Sequence, residues 1–360
     1  MKIKFLKANN GDSILISFQD TEGVNRNILI DGGMPQTYYN SGENSYGELH
    51  FSIQDIKNKG DKINLLILTH IDEDHIGGIL KWLELDKEAH QLIDKVWFNS
   101  GKTIADYFNE EENEDLKVSL DIFSTTETSV PQAKVFEDYI EQNNLWNKEI
   151  IKCGKVAEYK GIKIQILSPN DSLLKKLLKE YKRPKHNYST SGNRKENDWT
   201  ATIVDLIYEE EKPNFKVEKD SRVANGSSIA FLLTFKEKNF LFLGDSHPEI
   251  VLTSLKELGY SKDSPLVTEL MKISHHGSCK NTNKELLEII ETENYIISTS
   301  SESHGHPDKR TLSRIINKNP SATIYFNYDE VRKNIFSKKD FQDFQNLHTK
   351  NTSEYTIKWE

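Results

Sequence analysis

Two cysteines, Cys153 and Cys279, in 360 residues cannot build a disulfide framework, so a reducing, cytoplasmic setting is expected. No apolar run approaches the length of a membrane span, and the first residues carry no hydrophobic signal core. No membrane partner is therefore expected. Internal repeats are absent, and no Pro/Gly/Ser linker divides the chain. There is no Gly-x-Ser-x-Gly elbow and no glycine-rich phosphate loop, which argues against a serine hydrolase and an NTPase. Positive charge is in deficit: 47 Lys and Arg face 56 Asp and Glu, a net charge of −9. That excludes indiscriminate nucleic-acid binding by the whole surface but leaves room for a locally basic face.

What is present is a dense block, Thr69-His70-Ile71-Asp72-Glu73-Asp74-His75-Ile76-Gly77-Gly78. It follows Ile63 to Leu68, a short β-rich apolar run that reads as a buried strand. His70, Asp72, Asp74 and His75 thus leave a strand end as potential metal ligands. Imidazole nitrogen and carboxylate oxygen together suit a hard or borderline divalent ion. In an extended chain His70, Asp72 and Asp74 point one way, while His75 diverges far enough to serve a second ion. Gly77 and Gly78 let a following helix, 79 to 85, approach the loop closely.

Three strands open the chain, over 2–7, 13–18 and 26–30, the last ending in Asp31-Gly32-Gly33. A helix is expected over 48–59. Residues 101–149 read as a helical insertion, with an amphipathic helix from Pro131 to about Asn144. The acidic run Glu110 to Asp115 reads as a solvated loop. Residues 170–222 read as a second insertion, polar and basic. Lys175, Lys176, Lys179, Lys182, Arg183, Lys185, Arg194 and Lys195 lie there, with His186, Tyr188 and Trp199 in or beside them. Basic residues interleaved with aromatics fit phosphates and bases, although a solvated helix entering a loop explains them more simply.

Further donors follow. Asn225-Gly226-Ser227-Ser228 precedes two strands, and the second ends in Gly244-Asp245. Another strand-like run ends at His275-His276-Gly277-Ser278, and a later one leads to Ser303-His304-Gly305-His306-Pro307. Adjacent histidines at a strand end point apart, so one binds metal while its neighbour faces substrate; the sequence leaves open which does which. His90 and His247 read as structural or capping residues, and Cys279 as incidental.

The block at 70–75 resembles the hallmark of the metallo-β-lactamase superfamily, His-x-His-x-Asp-His at a strand end. One departure is plain: Asp72 stands where the second histidine usually stands, which enriches the first metal position in oxygen. The resemblance implies an α/β fold, a metallo-β-lactamase-like αββα sandwich over residues 1–360, with the two insertions. It implies two divalent metal ions, Mn2+ or Zn2+ with Mg2+ or Fe as alternatives, held by His70, Asp72, Asp74, His75, Asp245, His275 and His276. Asp31 would brace the metal loop, although a simple turn acid reads equally well there, and Asp245 would bridge the ions. A further ligand that many members place before Gly-Asp is missing; His186 and Asn225 are the candidates.

More narrowly, the series Asn-x-Ser-Ser, Gly-Asp, His-His-Gly-Ser, Gly-His-Pro resembles the soluble hydrolase domain of ComEC-type competence proteins. That likeness implies a phosphodiesterase or nuclease working through a metal-bridging hydroxide. Asp74 would orient the hydroxide, and His304, His306 or the spare histidine of the 275/276 pair would donate a proton. Nucleic acid or another phosphodiester is the implied partner; a protein partner is left open, and soluble relatives suggest phage defence. Two rivals stand beside it. One is a hydrolase of a small cyclic nucleotide, phosphonate or lactone; the other is a non-catalytic interaction module with a decayed site.

Overall fold

The computed structural model describes residues 1–110, 130–182 and 197–357. The chain forms two compact units, Met1–Lys152 with Pro169–Ser191, and Cys153–Ser168 with Gly192–Glu360. Each is built on a mixed sheet flanked by helices, so the α/β class expected from the sequence holds.

In the first unit five strands lie in chain order: β1 (Lys2–Phe5), β2 (Ile14–Gln19), β3 (Asn25–Ile30), β4 (Ile63–Ile67) and β5 (Val96–Trp97). β1 to β3 form an antiparallel meander, whereas β3, β4 and β5 run parallel. Parallel strands need crossover connections, and helices α1 (Glu48–Asn58) and α2 (Glu73–Leu85) supply them. Every residue of β4 is buried, as a parallel strand covered on both faces requires. α2 buries Ile76, Ile79, Leu80, Trp82 and Leu83 and lies directly on the Gly32-Gly33 turn. A Cβ on Gly78 would stand 2.0 Å from the Gly32 carbonyl oxygen, so glycine there is a condition of the contact.

The same unit holds α3 (Gly101–Phe108), α4 (Val130–Gln142) and α5 (Asp171–Tyr181). α5 buries Leu173, Leu174, Leu177, Leu178 and Tyr181 and exposes Lys175, Lys176 and Lys179 on its opposite side. It is thus the start of the basic segment read from the sequence. The remainder of that segment, Arg183 to Lys195 with His186 and Tyr188, lies outside the described residues, as do Glu111 to Asp115.

In the second unit eight strands again follow chain order: β6 (Val156–Tyr159), β7 (Ile162–Ser168), β8 (Ala230–Phe235), β9 (Lys238–Phe242), β10 (Leu270–Lys272), β11 (Asn294–Ile297), β12 (Thr323–Phe326) and β13 (His348–Asn351). β6 to β9 pair antiparallel and β9 to β13 parallel. Helices α6 (Ile203–Glu210), α7 (Pro248–Glu257) and α8 (Lys309–Lys318) belong to it. Its core joins Leu241, Met271 and Tyr295 of the sheet to Val251, Leu312 and Ile316 of the helices.

Residues 197–210, polar and weakly patterned in sequence, anchor this unit. The Asp198 carboxylate accepts from the Lys309 and Arg310 N–H groups at 2.6 and 2.9 Å, closing the start of α8 from outside the helix. Trp199 Nε1 donates to the Pro307 carbonyl at 2.9 Å. Behind them Lys309 and Asp340, both fully buried, pair at 2.6 Å. Among the described residues no helix is long and apolar enough to cross a membrane.

Candidate metal centre

The candidate ligands follow the carboxyl ends of the parallel strands in each unit, where α/β sheets place their chemistry. In the first unit the organising group is Asp31, just past β3. It is fully buried and sits at a φ of 56°, a left-handed turn that aspartate tolerates better than most residues. Its Oδ1 accepts from the Thr69 N–H at 2.7 Å. Its Oδ2 accepts from Thr69 Oγ1 at 2.7 Å and from His75 Nδ1 at 2.8 Å. Because the Thr69 hydroxyl proton goes to Asp31, Thr69 Oγ1 is the acceptor for His70 Nδ1 at 3.0 Å. One carboxylate therefore fixes both imidazoles with hydrogen on Nδ1, which leaves Nε2 as the nitrogen of each that could ligate a metal. The rings lie 4.0 Å apart, centre to centre.

The extended ligand loop expected from the sequence is not what forms. β4 ends at Ile67, Asp72 takes the N-cap position, and Asp74 and His75 occupy the first turn of α2. Strand alternation therefore does not govern Asp74 and His75; helical geometry does, with Asp74 Oδ1 4.0 Å from His75 Nε2. The Asp72 side chain does not cap the helix. Glu73 and Asp74 place negative charge at the helix start, where the macrodipole favours it. Burial and the neighbouring Asp74 carboxylate raise the Glu73 carboxyl above its usual range. Gly11 allows the following Asp12 N–H to reach the Asp74 carbonyl at 3.2 Å.

In the second unit Asp245 follows β9 and is buried, its N–H held by Ser228 Oγ at 3.1 Å. His275 and His276 follow β10, both with left-handed backbones, φ 47° and 54°. That geometry removes the divergence expected of strand neighbours. Both Nε2 atoms lie 3.7 Å from the same Asp245 Oδ2. Each ring is braced on its far side: His276 Nδ1 donates to the Ser298 carbonyl at 3.0 Å, and His275 Nδ1 to Asn281 Oδ1 at 2.9 Å. Both histidines thus present Nε2 to one carboxylate.

The remaining candidates are spread around this cluster. His306 is buried, its ring centre 4.9 Å from that of His275 and its Nδ1 3.7 Å from Asp308 Oδ2. His304 is half-buried at a φ of 61°. Asn225 is buried, and its Nδ2 donates to Asp220 Oδ2 at 2.7 Å. His186, the alternative to Asn225 for the missing ligand, falls outside the described residues. Cys279 donates its N–H to Asp308. The donor chemistry in each unit, imidazole Nε2 beside carboxylate oxygen with the far ring nitrogen engaged, fits a divalent metal.

Residues 7–146 match a family model described as the metallo-beta-lactamase superfamily. This stretch is similar to metallo-β-lactamase superfamily domains. No curated protein matches the chain. Among solved structures, CmlA, a diiron β-hydroxylase from Streptomyces venezuelae, aligns at 11% identity and a TM-score of 0.41. That alignment covers 97% of this chain and 52% of CmlA. A HARLDQ-motif mutant of the metallo-β-lactamase from Cronobacter sakazakii aligns at 11% identity and a TM-score of 0.29, over 67% of this chain and 60% of its own. The chain spans about half the length of CmlA.

Within the first unit the sequence pointed to the candidate ligands and to Asp31, but not to Thr69, which carries the hydrogen bond between Asp31 and His70. In the second unit it missed Asp220 and Asn281. Burial alone would push the Asp220 carboxyl up. His275, the Arg222 N–H and the Asn225 and Asn281 amides outweigh it and hold that carboxyl below its ordinary range. Asn281 had one signal, its place just after His-His-Gly-Ser; Asp220 had none.

Proposed function

We propose that this protein is a metal-dependent hydrolase that cleaves phosphodiesters, with nucleic acid as its substrate. The observation that carries the reading is the shared bracing of the histidines. His70, His75, His275 and His276 all have Nδ1 engaged and Nε2 turned to ligand duty. The superfamily consists mostly of metal-dependent hydrolases, which agrees with it. The phosphodiester assignment rests on the series Asn225-Gly226-Ser227-Ser228, Gly244-Asp245, His275-His276-Gly277-Ser278 and Gly305-His306-Pro307, which resembles that of ComEC-type hydrolase domains.

Two divalent ions would be held by His70, Asp72, Asp74 and His75 and by Asp245, His275 and His276. When bound, such ions supply Lewis acidity, acidifying water and neutralising charge on phosphoryl oxygens. The chain itself does the rest. Asp31 and Thr69 keep two imidazoles in the ligating tautomer without reorganisation. Asp245 presents one carboxylate oxygen to the Nε2 atoms of both His275 and His276, which Asn281 and Ser298 hold in place. Asp74, at the mouth of the first turn, orients the attacking water by accepting its proton. His306, packed beside His275, donates a proton to the leaving oxygen, with His304 the alternative donor.

The test uses protein stripped by chelation and reloaded with manganese or zinc, offered single-stranded DNA, RNA and bis(p-nitrophenyl) phosphate. Metal-restored cleavage that Asp245→Ala abolishes on every substrate is expected. Inertness toward all three by protein that binds metal would overturn the phosphodiester reading.

A further inference from the structure

The segment before Asn225 contributes one residue that no motif marks. Asp220 is half-buried as a residue, but its side chain is only 7% exposed, and its Oδ2 is the centre of a converging set of polar groups. Asn225 Nδ2 donates to it at 2.7 Å and Asn281 Nδ2 at 3.0 Å. His275 Nδ1 lies 3.5 Å away and His247 Nε2 3.7 Å. The two amides have no choice of orientation, since a carboxylate only accepts and each must turn its NH2 inward. For Asn281 the consequence is specific. With Nδ2 committed to Asp220 and to the Asp245 carbonyl at 3.1 Å, its Oδ1 is the atom that meets His275 Nδ1. An acceptor there requires hydrogen on Nδ1 and the lone pair on Nε2, the nitrogen aimed at Asp245.

We propose that Asp220 is a positioning residue: by orienting the Asn281 amide it sets the tautomer in which His275 ligates metal. The proposal rests on the metal-ligand reading of His275 given above. A charged group behind the Asn281 amide, its own Oδ2 3.5 Å from His275 Nδ1, makes a stronger brace than the amide alone. Without Asp220 the Asn281 NH2 loses its charged acceptor and keeps the Asp245 carbonyl, a weaker hold against a flip that presents NH2 to the ring and forces hydrogen onto Nε2. His276 needs no such device, because its acceptor is the Ser298 backbone carbonyl, which cannot flip.

The experiment is long-range 1H–15N correlation spectroscopy on 15N-histidine-labelled, metal-free protein in mildly alkaline buffer, where neutral imidazoles report their tautomers. The parent is expected to show His275 with hydrogen on Nδ1. Asp220→Asn, which offers NH2 where an acceptor stood, should populate the Nε2–H form while leaving His276 unchanged. Manganese affinity measured by calorimetry should fall about 10- to 100-fold, the usual cost of a lost ligand brace. The double variant Asp220→Asn/Asn281→Asp restores an acceptor at Nδ1 and should return the parent's tautomer. If Asp220→Asn does not fold, Asn281→Ala removes the acceptor directly and should mix the tautomers. An unchanged His275 pattern in Asp220→Asn, or in Asn281→Ala where that variant stands in, overturns the proposal. Because the spectra need neither metal nor substrate, they remain decisive even if no phosphodiester is cleaved.

Discussion

In the first unit one carboxylate receives both Thr69 donors and His75 directly, and governs His70 through the threonine hydroxyl. In the second unit His275 and His276 lean on separate neutral acceptors, an asparagine amide and a backbone carbonyl. The first arrangement is compact and charged: its ligands lie within six residues and share a single hub. The second is assembled from the ends of β9 and β10, and its braces come from Ser298, after β11, and from Asn281. A shared hub couples its dependents, so losing it is a collective failure. Distributed braces fail one at a time.

The largest expected effect tests that coupling. Asp31→Ala removes an acceptor from three buried donors and leaves both His70 and His75 without a fixed tautomer. With each brace worth about 10- to 100-fold, metal-dependent turnover should fall about 100- to 10,000-fold. Buried donors left unsatisfied should also lower stability by about 2–5 kcal/mol, read by urea unfolding. Asn281→Ala, the counterpart in the second unit, disturbs one histidine and should cost only about 10- to 100-fold in turnover. Equal losses in the two variants would dissolve the distinction between hub and distributed bracing.

The same contrast explains what could be read from the sequence. β4, the following helix and the candidate ligands of the first unit were legible because they are contiguous, an apolar run followed at once by donor residues and glycines. The point where the helix begins was not. Asp72 followed by Glu73 and Asp74 carries the charge pattern of a helix start, and the metal-ligand reading of those residues overshadowed it. In the second unit Asp245 and the histidines were visible as types at strand ends. Their braces were not, since Asp220 and Asn281 lie 61 positions apart and are unremarkable locally. Asp198 likewise closes α8 across 111 positions, a pairing no local periodicity encodes. The histidine pair was misjudged for a different reason. Divergence holds for an extended chain, and left-handed φ at both residues turns the two rings to one carboxylate instead.

A moderate effect concerns composition. The first unit offers two carboxylates, Asp72 and Asp74, with His70 and His75, whereas Asp245 stands with two histidines in the second. Oxygen-rich sets favour manganese and magnesium, and imidazole favours zinc. Asp72→His should make the first set richer in nitrogen than the second and move the manganese-to-zinc activity ratio toward zinc by about tenfold, roughly 1.4 kcal/mol of differential affinity. Activity profiles for the two metals that match the parent's would show that Asp72 does not set metal choice.

The smallest effect asks whether recognition also belongs to the first unit. On α5, Lys175, Lys176 and Lys179 line the exposed side, and Lys175 Nζ stands 5.5 Å from the centre of the Phe108 ring. Lys182, one turn on, is instead tied to Glu110 at 2.9 Å. If the exposed lysines contact phosphates of a single strand, each contact releases counterions. Replacing Lys175, Lys176 and Lys179 together with glutamine should then flatten the slope of log affinity against log salt by about 2, at roughly 0.7 per contact. KM for a polynucleotide should rise several-fold at low salt and hardly at all at high salt. Turnover of bis(p-nitrophenyl) phosphate should not change, because that substrate is too small to reach α5 and the ligand braces are intact. Lys182→Gln serves as the internal control, since its ammonium is already neutralised by Glu110, and it should leave the salt slope close to the parent's. A triple variant that binds and cleaves DNA and RNA like the parent at every salt concentration would make this face of α5 a solvated surface and move recognition to the second unit.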